Sequence, residues 1–130
     1  MISVGLIQNV MATYPPATPE KIQAAQQLLG VEFAMDYVSL LQQSDGVTAN
    51  YFILYSCEEL PERNTTFEVV DGMPGFFSIG DNNGGTAIIM RSGRNPSPIY
   101  VVDHGDMQEA NMIQVGSNLQ EWITDGCPTR

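Results

Sequence analysis

His104 is the only histidine of the chain, and catalysis by its imidazole is the first chemistry that the sequence raises. A histidine-dependent hydrolase holds the imidazole in contact with a nucleophile and with an orienting carboxylate. Asp103 and Asp106 are close to His104 in sequence and could supply that carboxylate. The candidate nucleophiles are Cys57, Ser78 and Ser117. Closeness in sequence does not create the required geometry, so we interpret His104 as a histidine at a strand end and assign no catalytic residue.

The polar segment at residues 81–85 has oxygen-bearing side chains of the kind that calcium prefers. If Asp81 and Asn83 took the first and third positions of a calcium loop, Gly85 would stand fifth and Ser92 twelfth, where a glutamate is required. No Lys-Ser or Lys-Thr pair follows the glycines, so a phosphate-binding loop is not indicated. One histidine and two distant cysteines do not suit a zinc site. The sequence therefore predicts a hairpin turn, with no metal and no cofactor.

The charge balance has two interpretations, solubility alone or the attraction of a basic partner protein. Fifteen acidic residues stand against five basic ones, which gives a net charge of −10. Such a chain repels nucleic acid phosphates and anionic membranes and attracts a basic protein. No pair of carboxylates stands out by motif as the acid and base of a glycosidase.

Six carboxylates follow the first predicted strand or lie at predicted strand ends and turns, and if some of them converge on one face they form a strongly negative surface for a basic protein. These candidate partner-binding residues are Glu58, Glu59, Glu62, Asp81, Asp103 and Asp106.

The length and the apolar pattern predict one domain over residues 1–130, located in the cytoplasm. No run approaches the roughly 20 apolar residues that span a bilayer, and the N-terminus lacks the basic and apolar regions of a signal peptide. Cys57 and Cys127 are predicted to be independent thiols, as is usual in the cytosol. Cys127 is expected to be exposed because it lies near the C-terminus.

Helical signals dominate the first third of the chain. Residues 3–12 are predicted to form a short helix. A second helix begins after Thr18 as N-cap and ends at Gly30, with a core-facing stripe made of Ile22, Ala25, Leu28 and Leu29. A third helix is predicted over residues 34–43, packed against the second.

Strand signals follow Gly46. Strands are predicted at residues 51–56, 67–70, 98–103 and 112–115, with a hairpin over residues 76–90 and a helical or irregular crossover at 57–61. Ser117 and Gln120 match a capping box that begins a last helix, and Trp122 is predicted to anchor that helix in the core. These elements predict an α+β fold: a mostly antiparallel, curved sheet packed with N-terminal helices and a C-terminal helix.

The order of four segments resembles the SUKH superfamily. The segments are residues 29–46, with their Leu-Gly and Asp-Tyr pairs; residues 77–85, with Phe-Ser-Ile-Gly and Asn-Gly-Gly; residues 98–104, with Pro-Ile-Tyr and Asp-His; and residues 115–123, which resemble the closing helix. Together they span roughly residues 18–125. Three positions depart from the family pattern: Ala34 replaces a proline, Thr86 an acidic residue and Leu119 a phenylalanine.

The resemblance implies a non-enzymatic protein-binding domain, because the superfamily contains Smi/Knr-type cell-wall regulators and many bacterial immunity proteins. We expect an immunity protein that neutralises a basic toxin domain, such as a nuclease, through an acidic surface. A regulatory or scaffolding module without a toxin partner is the alternative. A small hydrolase that uses His104 is the third.

Overall fold

One open antiparallel sheet runs through the part of the chain that the computed structural model describes, residues 3–129. Each strand pairs with the next one along the chain, so the sheet is a meander. Within residues 3–129 its seven strands are β1 Val10–Thr13, β2 Val47–Ala49, β3 Ile53–Leu54, β4 Phe76–Asp81, β5 Thr86–Arg91, β6 Ile99–Asp103 and β7 Ile113–Gly116. Register shifts in the β1–β2, β4–β5 and β6–β7 pairs are bulges, which bend a sheet.

The helices lie between strands of this meander and after its last strand. The described residues contain α1 Pro19–Leu29, α2 Met35–Gln43, α3 Glu59–Thr66, α4 Val69–Gly72 and α5 Leu119–Thr124. Thr18 caps α1 by accepting the Lys21 N–H at 3.2 Å, and Gly30 ends it in the left-handed conformation at φ 69°. The predicted α+β class is confirmed, and so are the second and third predicted helices, which are α1 and α2.

The β4–β5 hairpin is buried on both faces of the sheet. On one face Phe77, Ile79, Ile88 and Met90 pack in the main core with α1, α2 and α5. On the other face Phe76, Ala87 and Ile89 join Val69 and Met73 in a second, smaller core beneath α4. The hairpin is therefore an apolar run without polar alternation, as expected for a doubly covered strand. Trp122 anchors α5 as predicted, since it is fully buried and packs edge-on against Phe52 at 5.5 Å.

Gly80 lets strand β3 approach β4 closely. A Cβ at this position would lie 2.0 Å from the Ile53 carbonyl oxygen, which is part of the β3 backbone. The residue stands next to the bulge that shifts the β4 register between Ser78 and Gly80. Only a residue without a side chain fits here, so the glycine of the hairpin motif has a packing reason.

Asn64 joins helix α3 to the same bulge. Its buried side chain accepts the Ser78 N–H at 2.7 Å and donates to the Ser78 carbonyl at 3.0 Å and to the Leu60 carbonyl at 2.8 Å. The bulge withdraws the Ser78 backbone groups from the strand ladder, and one amide side chain satisfies them. This contact positions α3 over the sheet.

The predicted helix over residues 3–12 is wrong. The segment forms a single 3-10 turn at Val4–Leu6 and then strand β1, which pairs with β2. Asn9 takes a left-handed conformation at φ 61° between them. A short apolar pattern is ambiguous between helix and strand, and pairing with β2 decided the outcome.

The predicted strand over residues 67–70 is also wrong. Phe67 ends α3, Glu68 turns the chain at φ 54°, and Val69 begins α4. The strand predicted over residues 51–56 shortens to β3, because Tyr51 is exposed and Ser56 already accepts the Glu59 N–H at the start of α3. Strand β2 was not predicted.

Three local predictions at single residues need correction. The last helix is capped by Asn118, which accepts the Glu121 N–H at 2.8 Å, one residue after the predicted Ser117 cap. Leu28 is 75% exposed instead of core-facing. Cys127 is buried instead of exposed, and both cysteines are free thiols as predicted.

We expect Gly80→Ala to destabilise the protein by at least about 3 kcal/mol, because the added methyl group meets a backbone oxygen that cannot move independently. Urea unfolding would measure the loss. Gly84→Ala is the matched control, since its Cβ would meet only the Asn82 side chain at 3.4 Å. Equal stability of the two variants would contradict the close approach of β3.

We expect Asn64→Leu to cost about 2–4 kcal/mol, because the Ser78 N–H and carbonyl would stay buried without partners. Leucine has the branched shape of asparagine but a larger volume, so the loss combines the missing hydrogen bonds with crowding and includes no cavity. Thr65→Ala, at the exposed neighbouring position, should change the free energy of unfolding by less than about 0.5 kcal/mol. A wild-type urea midpoint for Asn64→Leu would disprove the role of this amide.

Candidate functional site

The three predicted glutamates lie on or beside α3, and they differ in what they contact. Glu59 is committed to the helix start: Ser56 N–H donates to its Oε1 at 3.0 Å, and its own N–H donates to Ser56 Oγ at 3.2 Å. This reciprocal pair is a capping box that the sequence interpretation missed. Glu58 and Glu62 are exposed and stand one helical turn apart.

Asp81 and Asp103 lie at the same end of the sheet. Asp81 pairs with Ala87 in β5, and Asp103 pairs with Thr86 of the same strand. Asp81 Oδ2 accepts the Tyr55 hydroxyl at 2.6 Å, and its Oδ1 accepts the Asn83 N–H at 2.9 Å. Burial and this hydrogen bond raise the pKa of Tyr55 well above its usual value.

A single 3-10 turn, His104–Asp106, carries the remaining predicted residues. Asp103 begins the turn, and its Oδ1 accepts the Gly105 N–H at 2.7 Å. Asp106 ends the turn and is exposed. The structure thus brings Asp81, Asp103 and Asp106 to the surroundings of one imidazole.

His104 joins this turn to the C-terminal end of α3. Its ring stacks on Phe67, with centroids 4.0 Å apart and planes within 3° of parallel. Burial lowers the pKa of His104 below its ordinary value, although the carboxylates of Asp81 and Asp103 act in the opposite direction. Within residues 3–129 nothing is hydrogen-bonded to its buried Nε2 atom. The imidazole is therefore neutral at pH 7.

Two further carboxylates, Glu68 and Asp71, line a surface hollow beside this stack. Phe67, Gly72, His104, Gly105 and Met107 line the rest of it. Glu68 and Asp71 are exposed, and so are Asp103 and Asp106, which flank the lining residues His104 and Gly105 in sequence without lining the hollow themselves. We call the hollow, together with these four carboxylates, the acidic hollow. The sequence interpretation missed Glu68 and Asp71 because it placed residues 67–70 in a strand. The polar turn at Glu68, flanked by apolar residues, was the signal that could have revealed the break.

The predicted carboxylates therefore form two groups. Asp81 and Asp103 act electrostatically on His104, and Asp106 shares its 3-10 turn. Glu58 lies at the far end of α3 from Phe67, about 14 Å away along the helix. Glu62 stands between these ends. A partner-binding role for the six residues stays a prediction.

The predicted nucleophiles have other partners. Ser78 Oγ donates to the Gly80 carbonyl at 2.9 Å, and Asp45 bonds the Cys57 backbone at 2.7 Å. Burial and Asp45 raise the pKa of the Cys57 thiol to about 12, which leaves it protonated. In residues 3–129 no hydrogen bond joins His104 to Cys57, Ser78 or Ser117.

The turn that resembled a calcium loop uses its oxygens internally. Asn82 Oδ1 accepts the N–H groups of Gly84 and Thr86, at 2.9 and 3.0 Å. Together with the Asp81 contact to Asn83, these bonds confirm the hairpin-turn interpretation. Across residues 3–129 no group of three or more His, Cys, Asp or Glu side chains is arranged to hold a metal ion.

We expect a pKa below 6.5 for His104 in a proton NMR titration, and a return to the ordinary value in urea. Between the folded and unfolded pKa values the unfolded chain binds the extra proton, so the stability present above about pH 6.5 is lost as the pH falls. The free energy of unfolding should therefore fall more between pH 7 and pH 5 in the wild type than in His104→Gln. A titration midpoint at or above 6.5 would refute the buried, neutral imidazole.

No helix in residues 3–129 has the length and apolar character needed to cross a membrane.

Comparison with known proteins agrees with this architecture. No curated protein matches the chain. Residues 16–125 match the model of the SMI1 / KNR4 family (SUKH-1), which covers nearly the same segment as the motifs in the helices, hairpin and closing helix. The chain therefore belongs to the SMI1 / KNR4 family (SUKH-1).

Proposed function

We propose that this chain is a non-enzymatic immunity protein that binds and neutralises a basic toxin domain in the cytoplasm. Family membership supports a domain of the immunity-protein type. The toxin class that we favour is a nuclease, because a nuclease must present a basic surface to hold nucleic acid.

The acidic hollow is the observation that carries the proposal. Two exposed carboxylates, Glu68 and Asp71, line the hollow, and two more, Asp103 and Asp106, flank its lining residues His104 and Gly105 in sequence. Among the described residues that line it, none is Lys or Arg, and His104 is neutral at pH 7. The hollow therefore keeps its negative charge and presents it to a partner.

Electrostatic complementarity explains how this chain recognises and inhibits a basic toxin domain. A negative surface steers a basic partner during diffusion and raises the association rate, while rim charges contribute less to the dissociation rate. The bound acidic protein occupies the surface on which the toxin would hold phosphates. Inhibition needs no bond making or breaking by this chain.

We expect co-expression of the protein to rescue cells from a toxin domain encoded in the neighbouring gene, and purified protein to bind that domain. Survival counts and a pull-down measure the two effects. Failure of rescue with every neighbouring toxin candidate, together with capture of an endogenous protein, would replace this proposal by the scaffolding alternative.

Variants that remove carboxylates test whether the acidic hollow steers a basic partner. We expect the triple variant Glu68→Gln, Asp71→Asn, Asp106→Asn to lower the association rate about tenfold at low salt, because steering depends on these charges. The matched control removes the same charge elsewhere, through Glu20→Gln, Glu32→Gln and Asp125→Asn, which are exposed positions. Equal rates for the two triple variants, measured by stopped flow, would show that only net charge matters.

A further inference from the structure

Helix α1 presents an apolar face that the fold leaves uncovered. Lys21, Ala24 and Leu28 follow one another at helical spacing, and all three are exposed. Leu28 is 75% exposed although the sequence pattern places it in a core stripe. A single exposed leucine is ordinary on a protein surface, so a binding site is inferred from the two hollows that Leu28 lines.

A first hollow lies between this face and the beginning of α3. Its walls are Lys21, Ala24 and Leu28 on α1 and Glu58 and Pro61 on the opposite side. Beneath them lie Ala25, Asp45 and Cys57. Alanine and proline leave room for one apolar side chain of a partner, and the protonated Cys57 thiol adds no charge to the floor.

A second hollow continues from the first along α3. Leu28 lines it too, and Asn64, Thr65, Val70 and Asp71 form its far side. Pro61 and Thr65 are one helical turn apart, about 6 Å. Side chains at positions i and i+4 of a partner helix have nearly the same separation, so one such pair could fill both hollows on either side of Leu28. We call the two hollows together the α1–α3 groove.

Acidic residues border this groove and decide which partner it suits. Glu58 and Asp71 line its two hollows, and exposed Glu62 stands between them on α3. Lys21 is the only cation among the described residues that line it. A second copy of this chain is a poor occupant, because two chains of net charge −10 repel one another. A basic segment is a good one.

We propose that the α1–α3 groove binds an amphipathic basic helix of the partner protein, with two apolar side chains one turn apart in the hollows and Lys or Arg facing Glu58, Glu62 and Asp71. This inference rests on the proposed protein-binding function and specifies the contact through which a partner docks. It also joins the two predicted acidic groups, because Asp71 belongs to both the groove and the acidic hollow. Helix-in-groove recognition uses this combination of apolar anchors and flanking charges.

The first test uses a synthetic peptide of roughly 15 Leu and Lys residues, with leucines at i and i+4 repeats and a fluorescent label. We expect saturable binding by anisotropy at physiological salt, and amide shifts at Ala24, Leu28 and Thr65 in NMR spectra. A peptide of the same composition with its leucines scrambled should bind about tenfold more weakly, since burial of a leucine depends on its position. Equal binding of both peptides would contradict binding in the α1–α3 groove. Amide shifts confined to strand β7 or to the acidic hollow would contradict it as well.

The second test compares Leu28→Asp with Met35→Asp. Met35 is 72% exposed on α2 and does not line the groove, so the two variants add the same charge at equally exposed positions. We expect Leu28→Asp to weaken peptide binding about tenfold or more and Met35→Asp to change it less than about twofold. Thermal unfolding establishes that both variants are folded. Equal affinities would refute the groove.

The same pair of variants separates this inference from the proposed function. If wild type and Leu28→Asp bind the toxin domain equally well, the groove is wrong and the toxin proposal stands. If wild type binds the peptide with the expected Leu28 dependence but never protects against a toxin, the groove stands and the toxin proposal falls.

Discussion

The close approach of strand β3 to the Cα of Gly80 is the constraint on which the rest of the structure depends. A side chain at this position would meet the Ile53 carbonyl oxygen, so the two backbones fit together only because glycine has none. The bulge beside it turns the Ser78 backbone groups toward Asn64, which holds α3 over the sheet. Pairing with β3 also places Tyr55 where its hydroxyl reaches Asp81. The absence of a side chain at Gly80 thus permits the positions of α3, of β3 and of the residues near His104.

The double burial of the hairpin determines where charges can lie. Both faces of β4 and β5 are covered, so the sheet interior has no room for unpaired carboxylates. The acidic residues are therefore found at strand ends and on helix surfaces, as Asp81, Asp103 and Glu62 show. The second core beneath α4 also brings Glu68 and Asp71 beside the His104 turn. The packing of a small apolar cluster thereby assembles a negative surface from distant parts of the chain.

Much of the fold could be predicted because its signals are local. The Thr18 cap and the left-handed Gly30 define α1 from a few neighbouring residues, and the turn between β4 and β5 has side chains that satisfy its own backbone. The predictions for residues 3–12 and 67–70 were wrong because a short apolar run fits either a helix or a strand. Contacts with distant parts of the fold decided the secondary structure of each run. The first run pairs with β2, and Val69 of the second run packs in the second core. Half of the acidic hollow was missed for the same reason.

The sequence by itself determined the net charge and the ends of α1, since each depends on composition or on neighbouring residues. Only the tertiary structure decided that His104 is neutral, that Leu28 faces solvent and that Asp71 and His104 line one hollow. The pKa of a buried imidazole depends on what surrounds it, and the exposure of a helix face depends on what packs against it. Those neighbours are distant in sequence, and no local pattern of residue types records them.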